Sequence, residues 1–287
     1  MEDKIVYLKV KDHSVSGEEF NLLYNDELDL LETHPRPSEA KLAQYYKSEE
    51  YISHTDAKRN TFEKVYQYVR SISIKRKIKL INSFLLESKL LLDIGCGTGD
   101  FINAAQQDQW TVQGIEPNDK ARAIANEKTR NKVFTIDQLK LFEAESFDVI
   151  TLWHVLEHVS DLDDLIFSIK RLLKTNGKII IAVPNYKCFD AKYYKDYWAA
   201  FDAPRHLWHF SRTAIKTIFS EKDLEVEKIL PLKFDAYYVS LLSEKYKFGW
   251  MNIFSAFFIA SRSNLKASRS GEYSSLIYVL KNKNYSI

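Results

Sequence analysis

A glycine-rich segment next to an acidic residue is the stretch of this sequence best suited to binding a charged ligand. Between residues 90 and 99 an apolar run ends at Asp93, and Gly95, Gly97 and Gly99 follow at alternate positions, with Cys96 between the first two. Such glycines allow a tight turn with positive φ and let a ligand lie against the backbone. The residues after the loop have helical spacing, so the loop should present N–H groups at a helix N-terminus. A carboxylate here disfavours a diphosphate and favours a ligand with an ammonium group.

A second acidic residue follows the next apolar run. Residues 111–115 end at Glu116, with Pro117 after it. A carboxylate at that position can accept hydrogen bonds from both hydroxyl groups of a ribose. The glycine spacing differs from the dinucleotide pattern G-x-G-x-x-G. A dinucleotide bound at this loop would also have its diphosphate next to Asp93. The loop therefore favours a nucleoside with an ammonium group, and a nicotinamide-dependent oxidoreductase remains the alternative enzyme class.

Four histidines are candidates for a general base. His154 and His158 follow the predicted strand 147–152, and His206 and His209 lie further along the chain. Histidine has an unperturbed pKa of about 6.5 and can accept a proton at neutral pH. Glu157 could orient His158, the pair could be structural, or the two could belong to a metal site with a further acid. We predict no metal site, because no cluster has convincing ligand spacing.

The elements that position these residues alternate between strands and helices. Apolar runs predict strands at 90–94, 111–115, 132–136, 147–152, 178–183 and 224–230, with helical segments between them. This alternation predicts an α/β fold with a Rossmann-like, doubly wound, mostly parallel sheet. The ligand of such a sheet lies beyond the carboxyl ends of the strands. Asp93, Glu116, Asp137 and His154 all come at or just after those ends.

Three motifs accompany the glycine loop within residues 85–230. Residues 152–159 read Leu-Trp-His-Val-Leu-Glu-His-Val, residues 172–177 contain Leu-Leu-Lys followed by a glycine, and residues 202–211 read Asp-Ala-Pro-Arg-His-Leu-Trp-His-Phe-Ser. Together with Asp93 and Glu116, they resemble the class I S-adenosylmethionine (SAM)-dependent methyltransferases, in particular the ubiquinone-biosynthesis O-methyltransferase-like group. The resemblance implies SAM as cofactor and a seven-stranded sheet whose last strand, 275–280, is antiparallel.

The resemblance also implies roles for individual residues. Those that would bind SAM are Gly95, Cys96 and Gly97 at the methionine part, Gly99 in the same loop, Asp93 near the amino group, Glu116 with Pro117 at the ribose, Ile136 and Asp137 at the adenine, and Trp153 at the back of the site. The implied reaction is methyl transfer to a small-molecule or lipid-like acceptor, with oxygen as the expected nucleophile. A SAM-binding protein without catalysis is the non-enzymatic alternative.

Two segments interrupt the alternation and are rich in aromatic residues, 185–210 and 231–270. We predict that both are acceptor-site insertions of a methyltransferase domain spanning 86–287, and that 231–270 is helical. The acceptor should then be apolar or aromatic, with an anionic group near Arg205. Core packing or a homodimer contact is the alternative for 231–270. Residues 1–85 should form an N-terminal extension and helical cap, with Tyr45, Tyr46 and Tyr51 at the mouth of the site.

The composition is that of an ordinary globular protein. The chain has 287 residues, 28% of them charged, and a net charge of +2, so nothing points to a nucleic-acid partner. The basic cluster at 75–79 is interpreted as a solvated helix face. Two cysteines without a pairing pattern suit a reducing compartment. The charged start of the chain and the lack of a long apolar run predict a cytoplasmic protein without a membrane span.

Overall fold

Eleven strands are present in the computed structural model, which describes residues 5–38, 41, 44–46, 61–84, 86 and 88–283. They are β1 (Ile5–Lys11), β2 (Glu19–Asn25), β3 (Leu30–His34), β4 (Leu90–Ile94), β5 (Thr111–Ile115), β6 (Val133–Phe134), β7 (Phe147–Trp153), β8 (Leu173–Pro184), β9 (Trp208–His209), β10 (Leu224–Pro231) and β11 (Ser275–Asn282). Seven of them form a central sheet in the order β10-β11-β8-β7-β4-β5-β6, and the other four form a second sheet in the order β1-β2-β3-β9.

The central sheet has the architecture that the sequence predicted. Strands β4 to β8 pair in parallel, and β11 is antiparallel to both β8 and β10. Alternate residues of each strand enter different cores, since Leu92 and Ile150 pack on one face while Leu91 and Val149 pack on the other. Apolar residues on both faces explain why these strands appear as continuous apolar runs in the sequence.

Helices cover both faces of this sheet. They are α1 (Thr61–Asn82), α2 (Asp100–Gln107), α3 (Asp119–Thr129), α4 (Gln138–Leu141), α5 (Leu162–Leu172), α6 (Phe189–Tyr194), α7 (Arg212–Ser220), α8 (Asp235–Phe248) and α9 (Ile253–Ser270). The side chain of Ser211 accepts a hydrogen bond from the N–H of Ala214 and so caps α7. Gly99, with φ of +81°, precedes α2 at the glycine loop. None of the described helices is long and apolar enough to cross a membrane.

Two boundaries differ from those expected. The strand predicted at 132–136 has only two residues, because Thr135 already begins the turn into α4. The strand predicted at 178–183 begins earlier, because β8 starts at Leu173 immediately after α5. The helical character of 231–270 is confirmed, since α8 and α9 form a hairpin there.

The second sheet joins the beginning of the chain to the segment after β8. Strand β3 pairs with β9 through Leu31 opposite His209 and Glu32 opposite Trp208. A separate core lies on this sheet and includes Leu31, Trp198 and Phe201. The sequence predicted only an N-terminal extension and helical cap for residues 1–85. It gave no sign of the pairing of β3 with β9.

Candidate active site

The glycine loop after β4 is packed on one side and open on the other. Gly95 and Gly97 have φ of +69° and +56°, which glycine adopts without strain. The Gly95 N–H donates to the carbonyl of Ile115 at 2.7 Å. A Cβ on Gly95 would lie 2.4 Å from the side chain of Val155, whereas a Cβ on Gly97 would meet nothing within 4 Å. The space above Gly97 is where a ligand could lie against the backbone.

A cavity of about 320 Å³ lies between this loop and α1. Its lining on the sheet side includes Asp93, Gly95, Cys96, Gly97 and Trp153. The cavity therefore meets the carboxyl ends of β4 and β7, which is where an open α/β sheet binds its ligand.

Helix α1 forms the opposite wall of the cavity. It contributes Arg70, Ser73, Ile74 and Lys77, which share one helical face because they are spaced i, i+3, i+4 and i+7. Arg70 forms an ion pair with Asp100 at the start of α2. Two cationic side chains thus face a cavity whose other wall carries carboxylates.

The charged groups of the cavity are strongly affected by burial. Burial lowers the pKa of Lys77 to about 8, with the charges of Asp93 and Asp235 opposing this effect. Burial raises the pKa of Asp93 to about 7, even though Thr151 donates a 2.6 Å hydrogen bond to its carboxylate. The Lys77 Nζ lies 4.2 Å from the centroid of the Trp153 ring. The Trp153 indole N–H is buried and has no hydrogen-bond partner among the described residues.

Glu116 lies at the end of β5, behind the glycine loop. One of its carboxylate oxygens accepts the Gly97 N–H at 2.8 Å, and the other accepts the Asn118 N–H at 2.9 Å. An ionised carboxylate has about four lone-pair positions, so about two stay available for further donors. Glu116 therefore shapes the loop and keeps the capacity to accept two hydroxyl groups.

Three other predicted cofactor residues lie exposed at the same edge of the sheet. Pro117 follows Glu116, and Ile136 and Asp137 follow β6, whose Phe134 pairs with Ile115 of β5. They do not belong to the lining of the cavity. They lie next to Glu116, and their contacts with the cofactor stay predictions.

His154 directly follows β7 and has an unusual backbone conformation. Its φ is +57°, yet its N–H still donates to the carbonyl of Ala182 at 2.9 Å. Its Nδ1 lies 3.3 Å from Glu157 Oε1, and its Nε2 lies 3.0 Å from Oδ2 of Asp235, the first residue of α8. Burial acts to lower the pKa of His154, but the carboxylates of Asp235 and Glu157 outweigh it and raise this pKa to about 10. The imidazole is therefore protonated at neutral pH.

Glu157, His158 and His206 converge beside His154, with potential ligand atoms within 4.8 Å of one another. Nδ1 of His158 lies 3.0 Å from the Arg205 carbonyl oxygen, and Nδ1 of His206 lies 2.9 Å from that of Ala200. Carbonyl oxygens only accept, so each Nδ1 carries a hydrogen, and in the neutral form of either ring the lone pair would lie on Nε2. Burial and the proximity of His206 lower the pKa of His158 to about 4.

This cluster bears on the expectation of no metal site, which stays a prediction. A carboxylate and two imidazoles are a donor set that could hold a metal ion. The sequence raised Glu157 and His158 as ligands only with a further acid and gave no sign of His206, because β9 and the turn before it bring His206 to Glu157 from a distant part of the chain. The absence of ligand spacing is therefore no longer an argument against a metal here.

His209 has a different environment from the other three histidines. It lies in β9, is buried, and its Nε2 is 3.0 Å from Thr33 Oγ1. The Thr33 hydroxyl donates to the His206 carbonyl at 2.6 Å, so it accepts from His209. Burial lowers the pKa of His209 to about 3. This arrangement links β9 to β3 and has the character of a structural contact.

The family of this protein follows from comparison with known sequences. Residues 66–229 match a family described as a methyltransferase domain, which is more than half of the chain. The protein belongs to this methyltransferase family. Its fold and glycine loop agree with that assignment, and SAM is its cofactor. The alternative interpretation as a nicotinamide-dependent oxidoreductase is wrong.

The curated relatives of this methyltransferase share part of its chain. A ubiquinone biosynthesis O-methyltransferase of Nitrosomonas europaea is 28% identical over 151 residues, which cover 45% of this chain and 64% of that protein. One from Haemophilus ducreyi is 38% identical over 111 residues, which cover 35% of this chain and 47% of that protein. The chain thus spans about half to two thirds of the length of these relatives.

A solved structure of geranyl diphosphate methyltransferase in complex with SAM has the same fold. It superposes with a TM-score of 0.57 at 15% identity and covers 81% of this chain and 95% of that one. The cavity of our methyltransferase also fits SAM on its own evidence. It carries carboxylate and cationic groups for a zwitterionic ligand, open space over Gly97, and an unpaired indole N–H at Trp153.

The aromatic residues of 185–210 do not line the cavity at the glycine loop. Tyr186, Tyr194, Trp198 and Phe201 are all buried in the core on the second sheet. Their polar tips are satisfied there; for example, the Trp198 indole donates to Asp190 at 2.9 Å. They hold the second sheet on the methyltransferase core.

Arg205 is also engaged within the protein. Its guanidinium donates to Asp12 at 3.1 Å and to Asp202 at 2.9 Å, and it is buried. An anionic group of the acceptor would have to displace one of these carboxylates. The expected contact with Arg205 is therefore not supported.

Sequence reasoning missed several residues of the site. Lys77 was included in a solvated basic cluster, although its seven-residue spacing from Arg70 could have placed both on one helix face. Asp235 had no signal, because α8 brings it to His154 only through the tertiary fold. Tyr46 was expected near the mouth, and its hydroxyl lies 3.0 Å from His158 Nδ1. Tyr51 lies outside the described residues.

Proposed function

We propose that this methyltransferase methylates an oxygen atom of a small, largely apolar acceptor, with His154 as the group that accepts the proton of the acceptor. The observation that carries this proposal is the contact between Asp235 and His154, which directly follows the cavity residue Trp153. Asp235 also influences the charge of Lys77, which lines the cavity. The imidazole and the cofactor site are therefore close neighbours.

The residues of the cavity have complementary roles toward SAM. Asp93 would attract its ammonium group, and Lys77 and Arg70 would attract its carboxylate, since opposite charges attract strongly away from water. Glu116 would accept the ribose hydroxyl groups, with Pro117, Ile136 and Asp137 beside the adenine. When bound, SAM supplies a methyl group on a sulfonium sulfur, and this sulfur is a leaving group that needs no acid assistance.

The chemistry left to the protein is orientation and removal of a proton. A phenolic hydroxyl has a pKa of about 10, which matches the value to which the carboxylates raise the pKa of His154. A higher pKa of the base makes removal of a proton from such a weak acid less unfavourable. The neutral fraction of His154 would act as the base, and the carboxylates of Asp235 and Glu157 would stabilise the imidazolium that forms.

The acceptor class follows from two lines of support. The curated relatives are named ubiquinone biosynthesis O-methyltransferases, which is consistent with oxygen as the nucleophile and an apolar acceptor. The cavity is lined by α1, and Asp235 at the start of α8 contacts His154. Residues 1–85 would then act as a cap and 231–270 as an acceptor-site insertion. His158 and His206 would position Glu157, and His209 would be structural.

The proposal is tested by the pH dependence of kcat/KM with an acceptor found by screening phenols and apolar alcohols against methyl-labelled SAM. In the wild type, kcat/KM should rise with pH up to about 10. Asp235→Asn removes the nearer carboxylate, so the rising part of the pH profile of kcat/KM should move to lower pH. Asp26→Asn, in an exposed turn, should leave this profile unchanged. An acceptor's own ionisation cannot respond to Asp235→Asn. If the pH profile of Asp235→Asn is the same as that of the wild type, His154 is not the base.

A further inference from the structure

We propose that the tip of the α8–α9 hairpin is a docking surface for membranes that contain anionic lipids. The tip surface consists of Phe248, Trp250, Met251, Ile253, Phe254, Phe257, Phe258 and Leu265, all of which are exposed. This inference concerns binding of the whole protein to a bilayer, and it holds without cofactor or acceptor. It is independent of the proposed reaction.

The apolar side chains of the tip surface form a continuous stripe on α9. Phe254, Phe258 and Leu265 lie within about 40° of one another around the helix axis, because α-helical residues are spaced by about 100°. Phe254 is 90% exposed, and Phe257 and Phe258 are 63% and 62% exposed. The opposite face of α9 is buried through Ala256, Ile259, Ala260, Ser263 and Ala267. The helix thus has one face for the protein core and a second apolar face that is largely exposed.

Such a surface is unusual for a protein surrounded only by water. Exposed apolar residues that occur singly are common, but contiguous patches mark interaction sites. The loop between α8 and α9 adds Trp250 and Met251 to the stripe. Aromatic residues of this kind are enriched where a protein meets the boundary between lipid chains and headgroups.

The charges around the stripe indicate which partner it fits. Residues 245–271 contain Lys245, Lys247, Arg262, Lys266 and Arg269 and no aspartate or glutamate. Lys247, Arg262, Lys266 and Arg269 form no ion pair with a carboxylate of the described residues. A helix with an apolar face and flanking basic residues lies in the interface of an anionic membrane. Each basic residue near such a surface adds to the attraction.

A second copy of this chain suits the surface less well. A two-fold dimer would place this basic segment against its own copy, so the cationic side chains of both copies would repel each other. A bilayer with anionic headgroups meets the same charges with the opposite sign. The charge pattern therefore selects the membrane as the partner.

The position of the surface connects it with the rest of the molecule. Helix α8 has 14 residues, from Asp235 beside His154 to Phe248 at the tip. At 1.5 Å per residue this helix is about 20 Å long. Tyr237 of α8 also contacts Phe257 of the tip surface, with ring centroids 5.3 Å apart. The tip surface is thus rigidly attached to an element that reaches the active site.

The test is cosedimentation of the purified protein with vesicles of phosphatidylcholine alone or with about 30% phosphatidylglycerol. We expect at least about tenfold stronger binding to the anionic vesicles, weakened by salt. The triple variant Phe254→Ser, Phe257→Ser, Phe258→Ser should lose at least about tenfold of this binding. Phe167→Ser, which changes a similarly exposed phenylalanine on α5, should bind as the wild type does.

Charge is tested separately with two variants that each lose three cations. Arg262→Gln, Lys266→Gln and Arg269→Gln together should abolish the preference for anionic vesicles. The control, with Lys120→Gln, Lys140→Gln and Lys216→Gln on other exposed surfaces, should keep it. Equal loss in both variants would mean attraction by net charge alone and would overturn the proposal.

Light scattering of the same proteins tests the rival partner. We expect the wild type and the triple phenylalanine variant to have the same mass in solution. A different result would be a dimeric wild type, a monomeric phenylalanine variant and no binding to either vesicle. That result would show that the tip surface joins two copies. Vesicle binding that survives the phenylalanine changes would also overturn the proposal. If that variant melts at a lower temperature, Phe254→Asp, at the most exposed position, replaces it.

Discussion

His154 combines a positive φ with two carboxylates on one imidazole. A non-glycine residue in the left-handed region costs about 1 kcal/mol or more, and such residues cluster at functional sites. The turn places the side chain beside Glu157 while the N–H of His154 still continues the β7–β8 ladder. The sequence identified His154 through the motif after β7, but its charged partner Asp235 comes from another element.

The neighbouring cluster provides a test at the same scale. If His154 acts as described, methyl transfer does not require a divalent cation, and protein treated with EDTA should keep its activity. Glu157 is buried, and burial opposes its ionisation, but the imidazole of His154 lowers its pKa. That charge is already balanced within the protein. Activity lost with EDTA and restored by magnesium would instead place a metal ion at Glu157, His158 and His206.

At the scale of elements, helix α1 decides the character of the cofactor site. The glycine loop and β4 were predictable because glycines and continuous apolar runs have few alternative structures. The contribution of α1 was not, since a basic cluster on a helix gives no sign of which lysine faces inward. Of the four basic residues at 75–79, Lys77 faces the cavity, while Lys75, Arg76 and Lys79 are exposed.

A substitution in α1 tests this role. Lys77→Met should weaken SAM binding about tenfold, or about 1.4 kcal/mol, because it removes a cation from the wall that would face the carboxylate of SAM. Melting temperature should not fall, since burial of the Lys77 charge is itself unfavourable. Lys75→Met, two residues earlier on the exposed face, is the matched control. Calorimetry that gave both variants the affinity of the wild type would remove Lys77 from the site.

At the scale of the whole molecule, a buried ion pair joins the beginning of the chain to the segment after β8. Arg205 donates to Asp12, which also accepts the N–H groups of Ser14 and Ser16 at 3.1 and 2.8 Å. Pairings between distant segments depend on the final packing, so local sequence patterns could not reveal this contact or the β3–β9 ladder. The same holds for the aromatic residues of 185–210, whose composition does not distinguish a core from a pocket.

The stability of this connection should depend on pH. Burial opposes ionisation of Asp12, but the Ser16 N–H and Arg205 outweigh it and lower the pKa to about 2 from 3.8. A lowered pKa stabilises the fold above the unfolded value, and this stabilisation is lost as pH falls through the folded value. The free energy of unfolding should therefore fall by roughly 2 kcal/mol between about pH 5 and pH 2 from this group alone.

Urea denaturation across that range measures the effect. Asp12→Asn should be less stable than the wild type at pH 7 and should lack this part of the acid dependence. Asp26→Asn, in an exposed turn, controls for the loss of one carboxylate. An Asp12→Asn protein with the same acid dependence as the wild type would show that Arg205 and Asp12 are not coupled in solution.

The most direct measurement of the whole account is calorimetric titration with SAM and with NAD, comparing the wild type with Glu116→Ala. SAM should bind with micromolar affinity and NAD should not bind. Glu116→Ala should weaken SAM binding by about 1.5–3 kcal/mol, because charge-assisted hydrogen bonds to the ribose are lost. Equal affinity for NAD, or a Glu116→Ala protein that binds SAM as the wild type does, would contradict the cofactor site described here.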